Sequence, residues 1–108
     1  MRLVPFESVM ERDIHFKRHR HEFGFATPDE YEQAADAFMF GAMNADTHEG
    51  FQVSKPRRNR MDFVTVHFGV AVAVPPIPEV LLTFYIPRPD TVTRHGGVAQ
   101  LFADYCAR

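Results

Sequence analysis

Residues 60–74 read RMDFVTVHFGVAVAV, and this stretch is the clearest sign of a β-sheet in the chain. From residue 61 to 68 the side chains fall into two alternating sets, MFTH and DVVF. Such alternation among β-branched and aromatic residues is typical of strands. FQVSK and VLLTFYI have a similar composition, so we predict strands at 51–55, 60–68, 69–74 and 80–86. PPIP at 75–78 is predicted to be a turn or loop, because proline cannot serve a central strand.

Two helices are predicted before these strands. SVME at 8–11 has the spacing of a capping box and predicts a helix over about residues 9–21, which Gly24 ends. TPDE at 27–30 supplies a hydroxyl cap, a proline at the first helical position and acids in the first turn. This second helix is expected to end before Gly41.

The two helices differ in how clearly their buried faces can be predicted. In the second, Tyr31 begins a series of apolar residues at helical spacing that also includes two alanines and a phenylalanine. In the first, Met10 and Ile14 lie four residues apart and are expected to face the core. His15 and His19 have the same spacing and are expected to share an adjacent face.

The order of these elements predicts the fold class. Residues 41–50 and 87–96 lack periodicity and are predicted loops, whereas 98–105 is predicted to be a short C-terminal helix. The length of 108 residues is that of one domain with a single modest core. We predict an α+β fold over residues 1–108, with two N-terminal helices packed on an antiparallel sheet of about four strands.

Composition excludes several functional classes. The longest apolar stretch, FGVAVAVPPIP, is too short to span a membrane, and the first ten residues lack a signal-peptide pattern. We therefore expect a soluble protein with no membrane partner. The single cysteine, Cys106, excludes an internal disulfide framework and a thiolate metal cage. A net charge of −2 argues against a general nucleic-acid binder.

Positive charge is concentrated in two clusters, one at 17–20 within HFKRHRHEFG (residues 15–24) and one at 55–60 in KPRRNR. Between Arg20 and Lys55 there are seven acidic residues and no lysine or arginine. If the fold brings the clusters together, they form one positive patch on an acidic molecule. The ordinary interpretation is two separate solvated surfaces.

The spacing of His15 and His19 allows two kinds of chemistry. Two imidazoles at i and i+4 can bind one metal ion, with His21, His95 or a carboxylate as third ligand. However, there is no HExxH motif, and the neighbouring arginines disfavour a dication. We therefore predict no metal and no cofactor, and keep a zinc hydrolase as the third hypothesis.

Acid–base chemistry suits the same pair better, because nearby positive charge lowers a histidine pKa and keeps the ring neutral as a base. Cleavage of RNA needs a base for the 2′-hydroxyl, an acid for the departing 5′-oxygen and donors for the developing charge. Arginine supplies a planar fork that matches phosphate geometry. In VLLTFYI, Thr83 and Tyr85 are expected to share one face of a strand.

Taken in order, the segments resemble a known family. HFKRHRHEFGFATPDEYEQAADAFM, RRNRMDF, HFGV, LLTFYIP and HGG are similar to bacterial polymorphic-toxin and phage-associated ribonuclease domains of the barnase–EndoU–colicin–RelE-like superfamily. The resemblance covers about residues 14–105. It implies two helices on a four-stranded antiparallel sheet, with metal-independent RNA cleavage through a 2′,3′-cyclic phosphate.

The resemblance also implies roles for individual residues. His15 and His19 match the family's helix histidines and are expected to act as general base or acid. Arg58 matches the family's strand-opening arginine and is expected to clamp the phosphate. Thr83 matches the strand threonine and is expected to act as an orienting hydrogen-bond donor. The catalytic set is completed by a weaker match, Tyr85. We expect the substrate-binding residues to be Lys17, Arg18, Arg57, Arg60 and His95.

The resemblance implies partners as well. The expected substrate is tRNA or other cytoplasmic RNA, and the expected protein partner is a cognate immunity or antitoxin protein. The site of action would be the cytoplasm, with delivery from another cell if the domain belongs to a secreted toxin. VPPIPEV at 74–80 replaces the family's short hairpin turn. The alternative is therefore an inactive RNA- or protein-binding module with the same fold.

Overall fold

The computed structural model describes residues 6–74 and 77–108, apart from the side chains of residues 73, 74, 77 and 78. Within these residues the chain forms four helices and one four-stranded antiparallel sheet with strand order β1-β2-β3-β4. The elements are α1 (Val9–Phe23), α2 (Pro28–Phe40), β1 (Thr47–Phe51), β2 (Arg57–Asp62), β3 (Phe68–Val74), β4 (Ile77–Tyr85), α3 (Pro89–His95) and α4 (Val98–Cys106). The predicted α+β class is confirmed. None of these helices is long and apolar enough to cross a membrane.

The predicted helix ends are confirmed, because each has a local signal. The Ser8 hydroxyl accepts the Glu11 N–H at 3.1 Å, and Gly24 ends α1 in the left-handed region with φ of 79°. The Thr27 hydroxyl accepts the Glu30 N–H at 3.2 Å. Gly41 follows the last residue of α2.

The predicted inner face of α1 is wrong. Met10 and Ile14 are 71% and 41% exposed, whereas Phe16 is buried. The Phe16 ring packs edge-on to Tyr31 of α2, and the Phe23 ring stacks on Phe84 of β4 at 4.6 Å. The two aromatic rings bury more apolar area than the smaller side chains, so they set the rotation of the helix.

The predicted strand at 60–68 is two strands joined by a turn. An Asp62 side-chain oxygen accepts the N–H groups of Val64 and Thr65 at 2.8 and 3.2 Å, which ends β2. Val66 then adopts a positive φ of 60°. The competing backbone bonds of aspartate therefore override the period-two pattern here.

Other predicted boundaries also move. β1 begins at Thr47 inside the predicted loop, and α3 forms within the predicted loop at 87–96. Of the predicted PPIP turn, Pro75 and Pro76 lie outside the described residues, while Ile77 and Pro78 begin β4. Proline is tolerated there because β4 lies at an edge of the sheet.

Helices cover both faces of the sheet. On one face, α1 and α2 bury a core that includes Tyr31, Met39 and Phe84. On the other, α4 contributes Leu101 to a smaller core with Met61 and Phe68. Because side chains alternate along β2, Arg58 and Arg60 face α2, whereas Met61 faces the core beside α4.

Candidate functional site

Two histidines of α1 meet two side chains of β4. The His15 Nδ1 lies 3.4 Å from the Thr83 hydroxyl, and the His19 ring stacks on Tyr85 with 5.3 Å between centroids. The two imidazoles also stack on each other at 6.2 Å with an angle of 12° between their planes. Four of the five residues expected to be catalytic therefore lie together, between α1 and the edge strand.

Glu22 holds His19 in one orientation. One carboxylate oxygen lies 2.8 Å from His19 Nδ1, and the other accepts the Ile86 N–H at 2.7 Å. A carboxylate only accepts hydrogen bonds, so we assign the proton to Nδ1 and leave Nε2 for a ligand. Sequence reasoning missed Glu22, although its position three residues after His19 on the same helix was a usable signal.

His15 is kept neutral by its surroundings. Burial lowers its pKa below the ordinary value, and electrostatic interactions with His19 and Arg18 lower the pKa further, against a smaller opposing effect of Glu11. Its ring stacks on Phe6 at 5.9 Å as well as on His19. His15 therefore forms a neutral, largely buried backing to the His19 ring.

Two tyrosines join β4 to α4. The Tyr85 hydroxyl donates to the Tyr105 hydroxyl at 3.1 Å. Burial raises the pKa of Tyr85 above its ordinary range, so this phenol keeps its proton. Tyr105 is the acceptor in this pair, so its own proton remains available to a ligand. The Arg108 guanidinium lies over the Tyr105 ring at 4.3 Å.

A cleft opens beside these residues, larger than a second cleft that adjoins it. It has a volume of about 490 Å³, and its wall includes His19, Glu22 and both tyrosines. Arg18 and Arg88 add two guanidinium groups. His21, which the sequence offered as a possible third metal ligand, is 75% exposed at the rim. We call this the larger cleft.

The smaller cleft has a volume of about 220 Å³ and lies on the other side of the tyrosines. Thr83, Arg57 and Arg108 line it together with Tyr85 and Tyr105. Arg88, Tyr105 and Arg108 were not predicted as site residues, because Arg88 comes from a predicted loop and the other two from the predicted C-terminal helix and the residues after it. Only folding brings these segments beside β4.

Arg58 does not join this group. It pairs with Ala71 of β3 in the register of the sheet and faces α2. There it makes a two-pronged contact to Glu79 at 2.6 and 2.7 Å and a further ion pair with Glu49. Hydrogen bonding to Glu79 raises the pKa of Arg58. The neighbouring Arg57 faces the opposite side of the sheet and the smaller cleft.

Arg60 shares the face of Arg58, two residues along β2. It is buried, with an exposure of 5%, and it donates to the carbonyl groups of Phe38 and Gly41 at 2.6 and 2.9 Å. These two carbonyls belong to the C-terminal end of α2, where unpaired carbonyl groups attract a cation. The structure thus places Arg60 in the core between α2 and the sheet, away from both clefts.

The remaining two predicted substrate-binding residues lie outside the clefts. Lys17 is exposed on α1. His95 ends α3, where its Nδ1 lies 2.7 Å from an Asp104 oxygen and its ring packs near Tyr105 at 6.1 Å. Of the lysines and arginines in the two basic clusters, only Arg18 and Arg57 line these clefts, one in each.

Among the described residues, no group of three or more histidine, cysteine or acidic side chains is arranged to hold a metal ion. In the predicted pair itself, His19 Nδ1 contacts Glu22 and His15 Nδ1 contacts Thr83. This part of the chain therefore offers the zinc hypothesis no ligand set.

Fold and site together define an α+β domain with a carboxylate-held histidine at an arginine-bearing cleft. Comparisons of the chain with protein-family models, with curated proteins and with solved structures found no match. The resemblance to toxin ribonucleases thus stays a prediction.

Proposed function

We propose that this protein is an endoribonuclease that cleaves RNA without a metal ion, by transesterification through the 2′-hydroxyl. The observation that carries the proposal is the His19–Glu22 pair at the larger cleft, with Arg18 and Arg88 in the same wall. A histidine with a fixed tautomer can act as the base that this reaction requires, and the arginines can act as donors to the phosphate.

His19 is the proton acceptor in the proposed reaction. Its Nε2 takes the proton of the 2′-hydroxyl as that oxygen forms a bond to the adjacent phosphorus. The bond from phosphorus to the 5′-oxygen breaks, and that oxygen receives a proton from the Tyr105 hydroxyl. The products are a 2′,3′-cyclic phosphate and a free 5′-hydroxyl, and the proton on His19 returns to Tyr105 through solvent. Glu22 stabilises the imidazolium formed during the reaction, as the third group does in other hydrolase triads.

Three guanidinium groups stabilise the developing negative charge. Arg18 and Arg88 lie in the larger cleft and Arg57 in the smaller one. In the proposal, Arg57 takes the phosphate-clamping role that the resemblance gives to Arg58, because Arg58 is bound to two carboxylates on the other face. Fixed donors around a transferring phosphoryl group make one of the largest contributions to such reactions.

The biological setting of the proposal comes from the family resemblance alone. We propose a bacterial toxin that cleaves tRNA or other cytoplasmic RNA and is restrained by a cognate immunity or antitoxin protein. The site of action is the cytoplasm, reached from another cell if the domain is carried by a secreted toxin.

The test is incubation of the purified protein with total RNA, with and without a chelator. We expect cleavage in both conditions, with 2′,3′-cyclic phosphate ends. His19→Ala should reduce the rate by about 10²–10⁴-fold, the usual contribution of a general base. His48→Ala is the matched control, since His48 is an exposed histidine of β1.

Two results would contradict the proposal. One is absence of cleavage by the unmodified protein, and the other is equal activity of the His19→Ala variant. Salt-dependent RNA binding without turnover would instead support the non-enzymatic binding module. Cleavage that the chelator abolishes would favour the zinc hypothesis.

A further inference from the structure

The two clefts share a wall made of the same pair of residues. Tyr85 and Tyr105 line both clefts, and their hydroxyl groups are in contact at 3.1 Å. His19 lies on the larger side of this wall and Thr83 on the smaller side. A ligand that crosses the wall therefore passes directly by the proton-transfer groups of the proposed reaction.

The two sides differ in size and chemistry. The larger cleft, of about 490 Å³, carries Arg18, Arg88 and His19. The smaller cleft, of about 220 Å³, has Val70 and Leu82 beside the Gln52 side chain and the Arg57 guanidinium. Apolar surface with an amide and a guanidinium at its edge suits a planar nucleobase, which stacks on one surface and hydrogen-bonds along its rim.

We propose that the substrate is unpaired RNA bound across both clefts, with the scissile phosphate at the tyrosine wall. The smaller cleft holds the base of one nucleotide and the larger cleft holds the other nucleotide. The phosphate that joins them lies at the wall, between Arg57 on one side and Arg18 and Arg88 on the other. This inference rests on the proposed function and adds to it the strandedness of the RNA and the smallest unit recognised, a dinucleotide step.

Base-paired RNA does not fit this arrangement. In an A-form helix the bases are stacked and their pairing edges are occupied, and the deep groove is too narrow for side chains. A base reaches the smaller cleft only after it leaves the stack, which costs unpairing and unstacking free energy. Single-stranded loops and ends avoid this cost.

Binding can be measured apart from cleavage with 2′-O-methyl oligonucleotides, which lack the attacking hydroxyl. The first probe is a labelled single strand of about ten nucleotides, within the usual site size of such grooves. The second is the same strand annealed to its complement. We expect the single strand to bind at least about tenfold more tightly. A 2′-O-methyl dinucleotide should likewise compete at least about tenfold better than either mononucleotide.

A variant that fills the smaller cleft tests whether each cleft holds one of the two nucleotides. Gln52→Trp should remove the advantage of the dinucleotide and leave unchanged the binding of a mononucleotide in the larger cleft, which Gln52 does not line. Unchanged binding there also shows that the variant is folded. Ser54→Trp is the matched control, because Ser54 lies exposed in the same loop and does not line the cleft. Leu82→Trp is a second variant that fills the smaller cleft, should Gln52→Trp fail to fold.

Each outcome separates this inference from the proposed function. Equal affinity for single strand and duplex, or an unaltered dinucleotide advantage in both variants, overturns the inference even when RNA is cleaved. Selective binding of the single strand by a protein that cleaves no RNA supports the inference and overturns the proposed function. No binding of either probe overturns the inference.

Discussion

Glu22 uses both of its carboxylate oxygens, and this determines how His19 meets the larger cleft. One oxygen accepts a hydrogen bond from the imidazole N–H of His19. The other accepts a hydrogen bond from the backbone N–H of Ile86, which directly follows β4. The same side chain therefore fixes the tautomer of His19 and ties α1 to the end of the strand. A residue that serves two donors cannot be replaced by one with a single acceptor oxygen.

We expect Glu22→Gln to lower RNA cleavage by more than about tenfold. Glutamine has one acceptor oxygen, so either His19 or the Ile86 N–H loses its acceptor. A partly buried donor without a partner costs about 1–3 kcal/mol, so the free energy of unfolding should also fall. Cleavage rates and urea unfolding measure the two effects, and an unchanged rate would contradict the assigned role of Glu22.

His67 gives the folded state a dependence on pH. Its ring lies among Phe23, Phe38 and Phe84, and burial lowers its pKa from the usual 6.5, against a smaller opposing effect of Asp62. The unfolded chain therefore binds the proton more readily than the folded chain does. This linkage destabilises the folded state as pH falls below the unfolded value.

We expect His67→Leu to reduce the loss of stability between pH 7 and pH 5. Above about pH 6.5 the histidine is neutral in both states, so its titration contributes no pH dependence there. Part of the loss should remain, because the pKa of His15 is lowered by burial as well. Urea unfolding at a series of pH values measures the difference, and parallel curves for the two proteins would contradict it.

Adjacent arginines of β2 belong to different parts of the molecule. Arg58 connects three strands, through Glu49 of β1 and Glu79 of β4, and donates to the Met39 carbonyl of α2 at 3.3 Å. Arg57 points to the other face and lines the smaller cleft. The pleat of the strand thus separates an arginine held by two carboxylates from one that lines the smaller cleft.

We expect Arg58→Ala to affect mainly the stability of the fold and Arg57→Ala to affect mainly RNA binding. Arg58→Ala should lower the free energy of unfolding by about 1–3 kcal/mol, because Glu79 loses a two-pronged contact and Glu49 loses one of its two arginines in a half-buried site. The folded variant should still bind RNA. Arg57→Ala should keep its stability and bind RNA more weakly. Urea unfolding and oligonucleotide binding test both, and a loss of binding confined to Arg58→Ala would contradict the assignment.

Across the whole molecule, charge is segregated although the net charge is only −2. Four arginines border the two clefts, Arg18 and Arg88 on one side and Arg57 and Arg108 on the other. The acidic first turn of α2 contains Asp29 and Glu30. A locally positive region on an acidic protein attracts a polyanion to one surface and leaves the remainder unattractive to it.

We expect RNA binding to weaken linearly on logarithmic axes as salt increases, with a slope near −0.7 for each phosphate contacted. Arg88→Ala or Arg108→Ala should each reduce the steepness by about 0.7. Lys55→Ala is the control, because Lys55 is exposed and lines neither cleft. Fluorescence anisotropy with a 2′-O-methyl oligonucleotide measures the slope. Equal slopes in all variants would contradict the location of the interface.

Local signals made much of the fold predictable from the sequence. Ser8 and Thr27 cap helices through their own side chains, and Gly24 ends α1 through its own backbone. The four-residue spacing of His15 and His19 placed them on one helix face before any tertiary contact was known. Such signals act within a few residues, so sequence alone contains them.

The sequence did not determine which arginine of β2 faces the clefts, because that depends on how the strands pair. Arg57 and Arg58 are the same residue type at adjacent positions, and the register with β3 alone determines which one meets the clefts. A shift of one residue in that register would exchange their faces. Tyr105 and Arg88 reach the site from separate segments near the C-terminus, so their proximity to His19 depends on packing over long sequence distances.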